Sequence, residues 1–299
     1  MREDVSAPVV PAAGEIPAGY ALDLEEVAMG DASVRVFTVP ESTAPAAHAV
    51  VCLPGLGASG RSFAPMRPLS NRHRLIMWTP PFNTPQGVTP LAHNLALLDH
   101  PAAPLPQRFA LVASSYGTLI AAAFALAHPE RVTALVLVSP VLSTRRIRLP
   151  ALVATAAMQV PLPLAYFFAP LVARALGGPH LPAEARTEIV REARQIPTVE
   201  LVRRLRDIVS GNRMQDLPAL SMPVQVVHGS RDVIVPLSAA RDVQARIPNA
   251  RLDVIRRAAH LPYMSHARAF NAVVGTFLDS ALAAGRPAPP PTRTPEASP

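Results

Sequence analysis

Short, unbroken apolar runs recur through the first half of the chain, each closed by turn-forming residues. His48–Leu53, Leu75–Trp78, Phe109–Ala113 and Val132–Val138 are such runs. Apolar residues at consecutive rather than alternate positions mark strands covered on both faces. Helical patterns stand between them. One is Thr89–His100, with Thr89 as cap and Pro90 at the first helical position. Another is an alanine-rich stretch that follows Tyr116 and stops at His128-Pro129. This alternation predicts a parallel sheet with helices on both faces. Ahead of it, Tyr20–Ala28 and Ser33–Val39, joined at Met29-Gly30-Asp31, predict a hairpin.

The rhythm breaks after Ser143. As far as about Leu220 no strand pattern occurs, only helical stretches cut by prolines. Leu149–Ala173 carries no charged residue, but Pro150, Pro161, Pro163 and Pro170 interrupt it, leaving no apolar span of the ~20 residues that a membrane crossing needs. It is read as a helical insertion roofing a cavity. Glu184–Arg206 reads as an amphipathic, exposed helix pair whose arginines form a solvated face. Strands resume at Val224–His228 and Arg251–Ile255, with helices over Ser238–Arg246 and Tyr263–Leu282. The expected organisation is a loose leader over 1–18, a core over 19–140 and 221–284, a helical cap over 141–220, and a disordered Pro-rich tail over 285–299.

Composition narrows the partners. All 28 basic residues are arginine, against 21 acidic ones, for a net charge of +7. The arginines are dispersed among acids and not interleaved with aromatic residues, so the excess does not point to nucleic acid. Cys52 has no possible disulfide partner, since it is the single cysteine. No metal-ligand spacing occurs, and no cofactor is expected. Arg2 is followed at once by Glu3 and Asp4, with no apolar segment after them, which is not a secretion signal. A cytoplasmic location is the expectation.

The chemistry gathers at Ala113-Ser114-Ser115-Tyr116-Gly117, where an apolar strand runs without a gap into a helix. A serine pushed out at so sharp a turn needs small residues two before and two after it, as in the nucleophile-elbow pattern G-x-S-x-G. Ser115 fits that frame, with Ala113 and Gly117 at the small positions. Ser114 does not, because Val112 and Tyr116 would fill them. A serine nucleophile needs a histidine base, and the base needs a carboxylate to fix its tautomer. Asp232 follows one late strand, in Gly229-Ser-Arg-Asp232-Val-Ile-Val-Pro236, and His260 follows the last, in Ala259-His260-Leu-Pro262. Asp216 and Asp253 are weaker candidates for the acid, and His228 and His266 for the base. His48, His73, His93, His100, His128 and His180 lie in no motif and read as surface or packing residues.

These motifs, with Leu53-Pro-Gly55-Leu56-Gly57 before them, strongly resemble the α/β-hydrolase family over roughly residues 20–282, and in particular its members with a helical cap. The resemblance implies a mostly parallel eight-stranded sheet with helices on both faces and the cap inserted after the sixth strand. It further implies a Ser115–His260–Asp232 triad, an oxyanion hole from the backbone N–H groups of Leu56 and Tyr116, and an aromatic residue in the final helix, matched by Phe270. Pro54 stands where the family usually has histidine, and Ala113 and Ala259 replace glycines. The implied activity is hydrolysis of a small-molecule ester, thioester or lactone with a hydrophobic acyl group. Acyl transfer, carbon–carbon hydrolysis or cofactor-free perhydrolysis by the same triad are alternatives, as is a non-catalytic binding role. An aspartate nucleophile is disfavoured because the elbow carries Ser115. A membrane-surface role is hinted at by the greasy insertion and the positive charge, but it is not the expectation. Oligomeric state is left open.

Overall fold

A computed structural model describes residues 22–40, 42, 44–45, 48–142, 174–193 and 195–284. The leader, the tail and the uncharged stretch 149–173 lie outside the described residues. Eight strands form one sheet: β1 Asp23–Met29, β2 Ala32–Thr38, β3 Ala49–Leu53, β4 Arg74–Thr79, β5 Phe109–Ser114, β6 Val132–Val138, β7 Val224–Gly229 and β8 Arg251–Ile255. Their order is β1-β2-β4-β3-β5-β6-β7-β8. The β1–β2 and β2–β4 pairs are antiparallel, and every later pair is parallel. The expected hairpin is therefore the antiparallel flank of an otherwise parallel sheet.

The unbroken apolar runs are explained by two cores that share the sheet. In β3, Ala49, Val51 and Leu53 enter one core while Val50 and Cys52 enter the other; β5 divides in the same way, with Phe109, Leu111 and Ala113 opposite Ala110 and Val112. The first core is closed by α1 (Pro90–Leu98), α2 (Tyr116–Ala127) and α5 (Leu237–Arg246). The second is closed by a 3-10 helix over Gly60–Leu69 and by the C-terminal helices. Thr89 caps α1 as expected, its Oγ1 accepting from the Ala92 N–H at 3.1 Å, with Pro90 at the first helical position.

The single helix expected over Tyr263–Leu282 is two. α6 (Pro262–Ser265) stops at His266, whose φ of −137° is not helical, and α7 (Ala267–Ala284) restarts beyond it. Buried Phe270 lies in α7, with its ring 5.9 Å from that of Tyr263.

Between β6 and β7 the described residues hold α3 (Ala183–Ala193) and α4 (Thr198–Ser210) and no strand. Ala185 of α3 joins the second core, and Leu205 and Ile208 of α4 join the first. The expected exposed helix pair is only half right. In α4 the residues Glu200, Arg204 and Asp207 are buried, while Val199 and Val209 face outward. The charged stripe turns inward because partners from elsewhere in the chain meet it there. Among the described residues, no helix is long and apolar enough to cross a membrane.

Candidate active site

Every predicted site residue lies just beyond the carboxyl end of a parallel strand: Leu56 after β3, Ser115 after β5, Asp232 after β7 and His260 after β8. That edge is where open α/β sheets bind ligands.

Ser114 is the last residue of β5 and is fully buried, whereas Ser115 sits in the turn and is partly exposed. Ser115 has φ 52° and ψ −120°, a left-handed conformation that costs a non-glycine residue free energy and persists only where the surroundings impose it. Here its N–H donates to the Val138 carbonyl at 2.9 Å, and its own carbonyl accepts from the Thr118 N–H at 2.9 Å and the Thr118 hydroxyl at 2.5 Å. The two small positions of the elbow turn out unequal. A Cβ on Gly117 would stand 2.3 Å from the Leu53 carbonyl oxygen and 2.7 Å from that of Pro54, so only glycine fits. Ala113 sits fully buried in the sheet between Leu53 and Leu137, where a methyl group is accommodated.

The glycine loop passes directly beside this turn. A Cβ built on Gly55 would lie 3.2 Å from Ser115 Cβ and 3.8 Å from its Oγ. Gly55 to Ala58 form a turn closed by the Ala58 N–H on the Gly55 carbonyl at 3.2 Å, with Gly57 at φ +71° as a type II turn requires. The closing bond does not use the Leu56 amide. Tyr116 opens α2, so its N–H has no acceptor within the helix. The two predicted oxyanion donors thus belong to neighbouring segments flanking Ser115.

Asp232 and His260, the predicted acid and base, are in contact. His260 Nδ1 donates to Asp232 Oδ2 at 2.7 Å, and both side chains are buried. Asp232 Oδ1 accepts from the Ile234 and Val235 amides, each at 2.9 Å. Burial by itself raises the Asp232 pKa. The His260 charge and hydrogen bond, with His228 and the Val235 amide, outweigh it and hold the carboxyl below its ordinary range. The loops carrying the two residues are joined by backbone: Arg231 N–H donates to the Ala258 carbonyl at 2.8 Å and Ser230 N–H to that of Ile255 at 3.0 Å. At Gly229 a Cβ would meet the Ala259 oxygen at 2.1 Å, so this crossing too demands glycine. Ser139, just past β6, links His260 to the Ser115 turn: its hydroxyl donates to the His260 carbonyl at 2.9 Å, and the preceding Val138 carbonyl holds the Ser115 amide.

The rival residues are engaged elsewhere. His228 is fully buried and donates Nε2–H to the Val235 carbonyl at 3.0 Å, leaving it 3.6 Å from Asp232 Oδ2. Burial, foremost, lowers its pKa. His266 is buried with Nδ1 3.0 Å from the Ser265 hydroxyl. Asp253 accepts from Gln225 at 2.7 Å, and Asp216 pairs with Arg213 at 3.6 Å. Cys52 is buried, which pushes its thiol pKa up and leaves it unreactive. No cluster able to hold a metal ion occurs among the described residues.

Two groups of charges escaped the sequence reading. Arg204 is fully buried, with its guanidinium 5.0 Å from the Phe82 ring and 5.6 Å from that of Tyr116. Its Nε donates to Glu200 Oε1 at 2.9 Å, and that oxygen also accepts from Thr84 at 3.0 Å. Asp207 accepts from the Tyr116 hydroxyl at 2.9 Å and the Leu91 amide at 2.8 Å. The residue after Ser115 is thereby fastened to α4. Glu192 of α3 is the second: its carboxylate accepts from both the amide and the hydroxyl of Ser59 in the glycine loop. The spacing of Glu200, Arg204 and Asp207, four and then three residues, was the available sign that they share one helix face.

An eight-stranded, mostly parallel sheet with an antiparallel flank is the architecture of the α/β-hydrolase fold, and the comparisons agree on that fold. A family model described as alpha/beta hydrolase fold matches residues 103–267. The chain belongs to the α/β-hydrolase fold family. It is 30% identical over 249 residues to the polyketide synthase ThaQ of Burkholderia thailandensis, covering 79% of this chain but only 12% of the synthase's length. It is 27% identical over 245 residues to the pimeloyl-[acyl-carrier protein] methyl ester esterase of Aeromonas hydrophila, covering 77% of this chain and 94% of that enzyme. Among solved structures, an esterase from Rhodococcus sp. ECU1013 superposes with a TM-score of 0.73 at 20% identity, over 86% of this chain and 99% of that one.

Proposed function

We propose that the protein is a serine hydrolase that cleaves a small-molecule ester, thioester or lactone with a hydrophobic acyl group. The 2.7 Å Asp232–His260 hydrogen bond, at strand ends on the same edge of the sheet as the strained turn of Ser115, is the observation that carries this reading.

In the proposed reaction His260 Nε2 takes the Ser115 hydroxyl proton as Oγ attacks the acyl carbonyl. Asp232 holds Nδ1–H, fixes the tautomer and stabilises the imidazolium. The tetrahedral oxyanion is received by the Leu56 and Tyr116 amides. One such donor is worth roughly 2.7–4 kcal/mol where it has been removed in other enzymes. The intermediate collapses as His260 passes its proton to the leaving oxygen or sulfur. Water, deprotonated by the same histidine, then releases the acid and restores Ser115. Residues 141–220 serve as a cap over the site, and the absence of charge from Leu149 to Ala173 suits an apolar acyl chain. The Aeromonas relative, named for a methyl ester of a carrier-bound acyl chain, supports an ester of that kind.

The test is a p-nitrophenyl ester series of increasing acyl length, run with fluorophosphonate labelling and mapping of the labelled residue. Wild-type protein labels at Ser115 and favours medium or long acyl chains. Ser115→Ala loses labelling and at least ~10³-fold in kcat. Retention of wild-type turnover by Ser115→Ala refutes the mechanism.

A further inference from the structure

The glycine loop is held from outside the sheet. Glu192, on α3, is 133 residues away from Ser59 in sequence, yet its Oε2 accepts the Ser59 N–H at 3.1 Å and its Oε1 accepts the Ser59 hydroxyl. Ser59 Oγ in turn accepts the Arg61 N–H at 3.2 Å, capping the 3-10 helix that continues the loop. Ile196, just past α3, packs at Gly57, where an added Cβ would stand 3.4 Å from its Cγ2. Leu56 thus lies between an anchor at Ser59 and the Gly55 backbone pressed on Ser115.

Stability does not explain the choice of residue. Capping the 3-10 helix needs only the serine. Glu192 is 3% exposed, and burial, outweighing its bonds to Ser59, pushes its pKa up to about 7. A carboxylate so disfavoured is a poor structural filler, since an uncharged residue of similar shape would fold more easily there. The other charged groups near it do not neutralise it. Glu188 and Arg191 lie on its own helix; Arg61 and Arg191 both engage Glu188. From α6 the buried Tyr263 phenol feels its charge; burial foremost, and then that charge, push the phenol pKa up.

We infer that Glu192 is a positioning residue which, through Ser59, holds the glycine loop so that the Leu56 amide stays beside Ser115. The inference rests on the serine-hydrolase reading and adds to it that the inserted segment sets the geometry of the oxyanion donors. Glu192 touches no substrate in this scheme; it fixes a backbone.

The experiment compares wild type, Glu192→Gln, Glu192→Asp and Ser59→Ala by kcat, KM, fluorophosphonate labelling rate and melting temperature at pH 8. Glu188→Gln, one turn earlier on α3, is the control and keeps wild-type kcat. Glu192→Gln lowers kcat and labelling rate about 10–100-fold with KM little changed, the scale of effect that a small misplacement of catalytic groups produces. Its melting temperature is unchanged or higher. Glu192→Asp restores part of kcat, and Glu192→Gln with Ser59→Ala is no worse than the poorer single variant. A residue with a purely structural role would instead lower melting temperature and leave kcat per folded molecule intact, and that result overturns the inference. So does full kcat in Glu192→Gln, or in Ser59→Ala should the glutamine variant not fold. Labelling of wild-type Ser115 beside either result leaves the hydrolase reading standing; no labelling of wild-type Ser115 sinks both.

Discussion

Replacing Arg204 with methionine removes the charge at the centre of the α4 contact while keeping a side chain of similar length. Arg204 is fully buried, and it is the cation that Glu200 meets at 2.9 Å, with Asp207 nearby on the same face. Once it is gone, buried Glu200 and Asp207 are left with the partly exposed Arg203, 3.9 Å from Glu200 Oε2, as a weaker counter-charge. Breaking one side of a buried ion pair costs about 3–5 kcal/mol. One guanidinium nitrogen, Nη1, meets no hydrogen-bond partner among the described residues, so the lower part of that range is expected. For a domain of this size 1 kcal/mol moves Tm by roughly 2–4 °C, so a fall on the order of 10 °C follows. Thermal melts by circular dichroism, with urea titration at 25 °C, measure it. The deficit shrinks in acid, because burial already holds the Asp207 pKa above its ordinary value and its protonation relieves that stranded charge. Adding Glu200→Gln to Arg204→Met recovers a good part of the loss by removing one stranded charge. A loss below about 1 kcal/mol, or a double variant no better than the single, would show that the ion pair is not what holds α4 in place.

Further outcomes follow from the same geometry. Asp232→Asn keeps the fold but lowers kcat by about 10⁴-fold, as removal of a tautomer-fixing carboxylate does elsewhere; steady-state kinetics showing more than a tenth of wild-type rate would refute its role. Glu192 has a folded-state pKa near 7 against an ordinary value of 4.5, so the folded protein holds the extra proton between these values and stability falls as pH rises through that window. The fall amounts to about 3 kcal/mol, and Glu192→Gln lacks it, so urea midpoints of the two proteins should diverge between pH 4.5 and 7.5; parallel curves would disprove the linkage. Gly229→Ala forces a methyl group against two backbone carbonyls, 2.1 and 2.5 Å away, and costs about 2–3 kcal/mol together with most of the activity, because the Asp232 and His260 loops must part. A variant with wild-type Tm and rate would contradict that crossing.

The sheet was legible because its strands carry their own signal. Val50 and Val51 are both buried, on opposite faces, so burial on both sides appears as an unbroken apolar run. The elbow was legible for a steric reason, and the structure shows that Gly117 bears nearly all of it. Asp232 and His260 were found by their place after strand ends, which a parallel sheet turns into a shared edge. The inward face of α4 was not legible. Arg204 and Glu200 read as solvent-facing because the groups that meet them, the Pro81 carbonyl and Thr84, lie 123 and 116 residues away. Glu192 was hidden in the same way, since nothing near it in sequence announces Ser59. The stop at His266 was missed because its non-helical φ interrupts an otherwise continuous apolar pattern without glycine or proline.

β8 is the outermost strand of the parallel side, and its burial is only partial, in contrast to the wholly buried β5. The serine therefore hangs from a wholly buried central strand and the histidine from a partly exposed edge strand. Edge strands open in local excursions that leave the rest of a domain intact. Detachment of β8 would take His260 away from Asp232 while the strained turn of Ser115 stayed folded. On warming, such a molecule loses turnover before it loses its sheet, and regains turnover on cooling without having to refold.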